Sequence, residues 1–152
     1  MKGQAEMIYG LSALAQIQNT SLAQLRIHKN MCIVWGYEKL HGALSGHFNR
    51  ISTLLDVTVA RLLQMEHAVD LQNLGRLNIG QTVEEILGSD RNMANDARSI
   101  ALRVVQMPRT DLGSVSLADD VAQFEEQRIF YFDQNLELIR QMGVQNFLAT
   151  RC

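Results

Sequence analysis

Hydrophobic residues recur every three or four positions along most of the chain, which is the spacing of one face of an α-helix. Four such stripes can be followed, over residues 7–25, 44–62, 83–104 and 121–139. Each predicts a helix of roughly 25–30 residues, about 40 Å long at about 1.5 Å rise per residue. Four long amphipathic helices predict an all-α four-helix bundle.

Local signals predict where the first three helices begin and end. Gly36 suits a tight turn between the first two helices. Thr82 and Glu85 form the T-x-x-E pattern of a capping box at the start of the third helix. Pro108 and Gly113 predict the turn that follows this helix.

Similar signals mark the last part of the chain. Ser116 and Asp119 give a capping pattern for the fourth helix, and the pair Asp119 and Asp120 complements the dipole at its start. Gly143 predicts the end of that helix, and residues 144–152 predict a short fifth one.

The joint between the second and third helices is long, covering residues 67–80, whereas the other joints are short. A long joint can span the bundle and leave the second and third helices parallel. This is the one-crossover topology of a ferritin-like fold, and residues 1–152 are predicted to form one such domain.

Composition excludes several classes of function. The hydrophobic share is 47 % and the formal net charge is −2, so the chain can build a core but has no basic surface for nucleic acid. No basic apolar face indicates membrane-surface binding, no apolar run approaches the roughly 18–20 residues of a membrane span, and the N-terminus lacks the apolar core of a signal peptide. Cys32 and Cys152 are far apart in sequence, which favours free thiols and a cytoplasmic location.

The crossover region carries a family resemblance. LQNLGRLNIGQTVEEIL, residues 71–87, closely resembles the crossover and third-helix start of bacterioferritins. The opening Met1-Lys2-Gly3, the Trp35-Gly36 turn and residues 136–148 are also similar to that family. The resemblance therefore covers essentially the whole chain.

The resemblance implies a function as well as a fold. Members of the family form a hollow shell of about two dozen subunits that stores ferric mineral. Catalytic subunits oxidise ferrous iron at a di-iron site inside each bundle, where one Glu from each of two helices and a Glu-x-x-His from each of the others supply the ligands. A haem often lies at the two-fold axis of a dimer, held by one methionine from each subunit.

This sequence departs from the family pattern at most of the ligand positions. Glu125 is retained, and the tyrosine that is common near the site is replaced by Leu25. The six positions of the family's glutamate and histidine ligands are occupied here by Gln18, Ile51, Leu54, Ala94, Glu125 and Arg128.

The stretch FEEQR, residues 124–128, therefore resembles the Glu-x-x-His half of a di-iron site in which arginine stands at the histidine position. An unpaired buried Glu125 would be costly, and Arg128 one helical turn away offsets that cost. We predict an ion pair between these two residues, apolar filling of the former metal cavity, and no iron between the helices.

Haem is not expected either. The position of the family's haem-ligand methionine is occupied by Ser52, and a serine hydroxyl is a poor axial ligand. Met31 and Trp35 can line an apolar slot, but core or interface packing explains them as well.

Three further residues are candidates for contact with iron away from the bundle centre. His47 is predicted on a helix face that can look into a shell, where it could nucleate mineral. Glu66 and Glu137 resemble acidic positions near shell pores, and their alternative is a solvated helix face. The apolar run 129–132 exceeds what one face can bury, which predicts contact with another subunit.

Three hypotheses follow for function. The first is a non-catalytic bacterioferritin-type shell subunit for iron storage, in a homo- or hetero-oligomer with a ferroxidase-competent chain. The second is residual ferroxidase activity through Glu125, Glu126 and Gln18, which the weak amide ligand and the Arg128 charge disfavour. The third is a four-helix-bundle scaffold or interaction protein that no longer handles iron.

Overall fold

A computed structural model describes residues 2–152, with side chains from Gln4 onward, so Met1 of the opening motif lies outside the described residues. The predicted four-helix bundle with a short fifth helix is confirmed. The helices are α1 (Lys2–Val34), α2 (Glu38–Gln64), α3 (Val83–Val105), α4 (Leu112–Met142) and α5 (Val144–Ala149).

The crossover segment, residues 65–82, explains how the helices are arranged. The carbonyl of Asn73 lies at Gln16 of α1, and the amide of Gly80 lies at His28, so the segment runs along α1 in the same direction. Helix α1 packs against α2 and α3, and α4 packs against α2, α3 and α5. The segment therefore returns along the bundle and leaves α2 and α3 parallel, as the length of the joint predicts.

Most of the predicted helix boundaries are confirmed. Gly36 and Gly143 have φ of 91° and 81°, a left-handed backbone that glycine adopts without strain. The hydroxyl of Thr82 accepts a hydrogen bond from the Glu85 amide at 3.2 Å, as in a capping box. The Glu85 carboxylate, however, accepts from the amide of Gln81 at 2.7 Å.

The predicted start of the fourth helix is wrong. Helix α4 is capped by Asp111, whose carboxylate accepts from the Ser114 amide at 3.2 Å and also pairs with Arg61 of α2. This contact between helices fixes Asp111 and starts α4 at Leu112. The capping pattern at Ser116 and Asp119, the adjacent Asp120 and the predicted turn residue Gly113 consequently all lie inside the helix.

The core consists of two apolar clusters stacked along the bundle. Leu14 of α1 and Ala122 of α4 belong to the first cluster, whereas Leu25 and Phe132 belong to the second. The buried polar residues Gln18, Glu125 and Arg128 lie at the intervening positions of these two helices. We call these three residues the central polar layer.

Two further observations concern the chain as a whole. Within residues 2–152, no helix combines the length and the apolar composition that crossing a bilayer requires. Both cysteines are free thiols, with Cys32 buried and Cys152 exposed.

Candidate functional site

Arg128 and Glu125 form the predicted ion pair in the centre of the bundle. Nη1 of Arg128 donates to Oε2 of Glu125 at 2.7 Å, across one turn of α4. The two side chains are 1 % and 2 % exposed, so water does not screen the pair. A charge-assisted bond in such a site is strong, and each partner depends on the other to offset its desolvation.

Three of the family's ligand positions on α2 and α3 hold buried apolar side chains. Ile51 and Leu54 of α2 and Ala94 of α3 are all buried, as the apolar replacement of metal ligands predicts. Gln18 of α1 is also buried, and neither of its amide atoms has a hydrogen-bond partner among the described residues. The site therefore combines an ion pair with one amide, and the charge of Arg128 also reaches His47 of α2.

The protonation of Glu125 reflects two opposed effects. Burial raises the pKa of the Glu125 carboxyl above its usual value, and the charge and hydrogen bond of Arg128 oppose that rise. Arg128 is therefore the group that favours the ionised form of this carboxyl, although the net pKa is still raised. Without it, burial would favour the neutral acid.

These residues do not fit a di-iron centre. Two iron ions need several carboxylate and imidazole ligands directed at one point. The described residues contain no group of three or more His, Cys, Asp or Glu side chains that could hold a metal ion. Glu125, the buried carboxylate at this point, is already bonded to a guanidinium that repels cations.

The surroundings of Ser52 do not fit the family's haem ligation either. Ser52 is half-buried on α2 and offers a hydroxyl in place of a thioether sulfur. Met31 is half-buried and packs against the second apolar cluster, which agrees with the packing interpretation. Trp35 is partly exposed at the end of α1.

His47 is half-buried against aromatic side chains of α4, and a role in mineral nucleation stays a prediction. Its ring packs edge-on against Tyr131, Phe132 and Phe124, with centroids 5.1, 5.5 and 6.1 Å away. Burial, and then the charge of Arg128, lower its pKa to about 4. The aromatic residues of α4 enclose this side of α2, so His47 is a neutral packing residue here.

Glu66 and Glu137 are both exposed, and a role at a pore stays a prediction for each. Glu66 follows the end of α2 with a φ of 60°, which is uncommon for a residue with a side chain. Glu137 accepts hydrogen bonds from Arg140 at 2.6 Å and Gln141 at 2.9 Å, and these lower its pKa to about 2.

The run 129–132 points in several directions, as predicted. Phe132 is fully buried, whereas Phe130 is 67 % exposed two residues earlier. Contact of this surface with another subunit stays a prediction.

The sequence analysis missed a second buried polar network. Asp90 of α3 accepts from Gln24 at 2.8 Å and lies 2.8 Å from His28 Nδ1. Both α1 residues also bind the backbone of the crossover segment. A regular spacing of four along α1 is the signal that could have revealed this network. The four residues at this spacing, each bonded to the crossover segment, are Gln16, Thr20, Gln24 and His28.

Comparison of the sequence with known proteins finds relatives that match it over nearly their full length. The chain is 27 % identical to a bacterial ferritin of Synechocystis sp. and 26 % identical to one of Pseudomonas aeruginosa, over 99 % of both chains in each case. It is 24 % identical to a bacterioferritin of Streptomyces coelicolor, over 99 % of this chain and 91 % of that one. No protein-family model matches the chain.

Proposed function

We propose that this chain, a bacterioferritin-like family member by its full-length similarity, is an iron-storage subunit without a ferroxidase centre of its own. The relatives carry the names bacterial ferritin and bacterioferritin, which supports iron storage in general. The helical bundle with a single crossover is the architecture that such a subunit needs.

The observation that carries the non-catalytic part is the 2.7 Å bond between Arg128 and Glu125. A ferrous ion at this point would have to displace a guanidinium from the one available carboxylate. It would then find Gln18 as a weak ligand and apolar side chains elsewhere. Oxidation of ferrous iron inside this bundle is therefore disfavoured.

A chain that stores iron without oxidising it needs a source of ferric iron. We propose that it co-assembles in the cytoplasm with a ferroxidase-competent subunit, in a shell of about two dozen chains. This chain would then contribute wall and inner surface, while its partner would supply the oxidation. The resemblance of residues 71–87 and 136–148 to the family, beside a replaced ligand set, supports this division.

Native mass spectrometry of the untagged protein purified from its source cells tests the proposal. We expect a shell of about two dozen subunits that contains two different chain masses. A shell of one mass that oxidises ferrous iron quickly would contradict the non-catalytic assignment. A stable dimer with no iron would instead favour the scaffold function.

The second chain in such a shell can then be tested separately. Shells reconstituted from this chain alone should take up ferrous iron slowly, and addition of the partner chain before assembly should restore rapid oxidation. Equal initial rates in both preparations would contradict the division of labour.

A further inference from the structure

A groove opens where the start of α2 meets the last turns of α4 and the residues that follow α5. Its volume is about 330 Å³, and Lys39, Arg151 and the half-buried Tyr131 are among the residues that line it. The amide of Lys39 donates to the carbonyl of Arg151 at 3.1 Å, which holds these two residues side by side. Two cationic residues therefore border one small groove, in a chain whose formal net charge is −2.

The guanidinium of Arg151 is fixed in place by its neighbours. Nη2 donates to Oδ1 of Asn135 at 3.0 Å, and Nη1 donates to the hydroxyl of Thr150 at 2.7 Å. Its Cζ lies 4.3 Å from the centre of the Phe147 ring. Asn135 is 4 % exposed and is oriented in turn by its bond to the Tyr131 carbonyl at 2.8 Å. The remaining N–H groups of the guanidinium are therefore held in one orientation, which lowers the entropy that a ligand must give up on binding.

No carboxylate competes for these two cations. Neither Lys39 nor Arg151 forms an ion pair among the described residues, and no Asp or Glu lines the groove. Asp133 and Glu137, which flank the lining positions of α4, each pair with a different arginine. Glu38 precedes Lys39 in sequence but does not line the groove. The charge that this groove presents is therefore positive.

Tyr131 adds a neutral hydrogen-bond donor to the two charges. Burial raises the pKa of its phenol, and the charge of Arg151 opposes that rise, so the hydroxyl keeps its proton at neutral pH. Ala43 and Leu138 give the groove an apolar side, and Leu138 is 37 % exposed. A few polar groups beside apolar surface are the usual lining of a small-molecule site.

We propose that this groove is a binding site for phosphate, either free or carried by a small organic molecule. The planar guanidinium of Arg151 can donate to two phosphate oxygens at once, whereas the ammonium of Lys39 acts as a point charge. The volume of about 330 Å³ lies at the lower end of the roughly 300–1,000 Å³ that ligand sites occupy. The inference uses no property of iron storage, so it stands or falls separately from the proposed function.

Isothermal titration calorimetry of the iron-free wild-type protein tests the site, with inorganic phosphate and phenyl phosphate as probes at constant ionic strength. We expect binding with a Kd below about 1 mM. Similar Kd values for the two probes identify the free anion as sufficient, and tighter binding of phenyl phosphate adds the apolar side of the groove to the site. No detectable binding of either probe would overturn the proposal.

Matched variants separate this site from general attraction of anions to the protein. Lys39 is exposed, so Lys39→Gln should fold normally and raise the Kd about tenfold through loss of a charged contact. Arg50→Gln removes one charge from another exposed position of α2, outside the groove, and should leave the Kd within about twofold. Equal weakening in these two variants would overturn the proposal.

A third variant tests the geometry of the guanidinium. Arg151→Lys keeps the charge but loses the planar fork, so the Kd should rise about tenfold. An unchanged Kd in this variant would contradict the role assigned to Arg151. If Arg151→Lys does not fold, the comparison of Lys39→Gln with Arg50→Gln still decides the question.

Discussion

At the scale of single residues, Arg128 is the side chain that pairs the buried carboxylate at the bundle centre. Arg128 stands one turn after Glu125 and holds its carboxylate at 2.7 Å. The same carboxylate without the guanidinium would be a buried acid available to a proton or a cation. The chemistry of the site thus depends on a pair whose members cannot be altered singly without cost.

Arg128→Met should destabilise the protein by roughly 3–5 kcal/mol, because it leaves Glu125 buried and unpaired. The double variant Glu125→Leu/Arg128→Met should recover most of this loss, since two apolar residues replace two charges. Denaturant unfolding followed by circular dichroism measures both changes.

A control for this pair lies on the surface of the same helix. Glu126 accepts from Arg98 at 3.0 Å in a partly exposed pair, so Glu126→Gln should cost less than about 1 kcal/mol. Equal decreases in the free energy of unfolding for Arg128→Met and Glu126→Gln would show that burial does not increase the pair's contribution to stability.

His47 should make the protein acid-sensitive. Its pKa falls from 6.5 to about 4 on folding, so the neutral ring contributes fully above about pH 6.5 and the contribution is lost as pH falls toward 4. The slope is about 1.4 kcal/mol per pH unit over that window. His47→Phe should flatten this part of the stability profile, and identical acid limbs in both proteins would contradict the burial of a neutral histidine.

At this scale the sequence predicted the ion pair but not the aromatic surroundings of His47. The spacing of Glu125 and Arg128 lies within one helix, so local geometry was enough. The surroundings of His47 depend on aromatic residues of α4, which no local pattern connects to α2.

At the scale of helices and joints, the crossover segment carries the most specific information. It is attached along α1 and ends in a turn where Gly80 lies directly on α3. A Cβ atom at position 80 would come within 2.4 Å of the backbone nitrogen of Ile86, which leaves no room for a side chain.

Gly80→Ala should therefore destabilise the protein by roughly 1–3 kcal/mol or more, because the contact is with backbone and cannot relax cheaply. Gly88→Ala is the matched control inside α3, where a Cβ meets nothing within 4 Å. That change should stabilise by about 0.5–1 kcal/mol, as alanine does in a helix. Thermal unfolding of the two variants should shift in opposite directions, and equal shifts would refute this account of Gly80.

The helix boundaries show where sequence patterns suffice. Gly36 and Gly143 act through their own backbone, and Thr82 acts through a hydroxyl that reaches the Glu85 amide three residues later, so each was predicted correctly. The start of α4 was not, because Arg61 of α2 fixes Asp111 from another helix. The bonds from α1 to the crossover segment were also missed, since they join residues more than fifty positions apart.

At the scale of the whole molecule, the chain forms a complete helical bundle around a buried ion pair. Two apolar clusters supply the packing on either side of the central polar layer, so the fold does not depend on a bound metal. This arrangement is consistent with the proposed role, in which the chain contributes wall and surface to a shell and does not oxidise iron.

Arg128→His should not create ferroxidase activity, although it restores a family ligand type. Ile51, Leu54 and Ala94 would still fill the space that the other ligands require. Stopped-flow oxidation of ferrous iron should give the same slow rate for this variant and the wild-type chain. A rate increase of more than about tenfold would contradict the claim that these three apolar side chains prevent iron from binding.

The most direct test of the central claim is anomalous diffraction at the iron edge, on crystals of this chain soaked with ferrous iron under anaerobic conditions. The account predicts no iron peak between the four long helices and an intact bond between Arg128 and Glu125. An iron peak at the carboxylate of Glu125, with Arg128 displaced and Gln18 turned toward the metal, would contradict it.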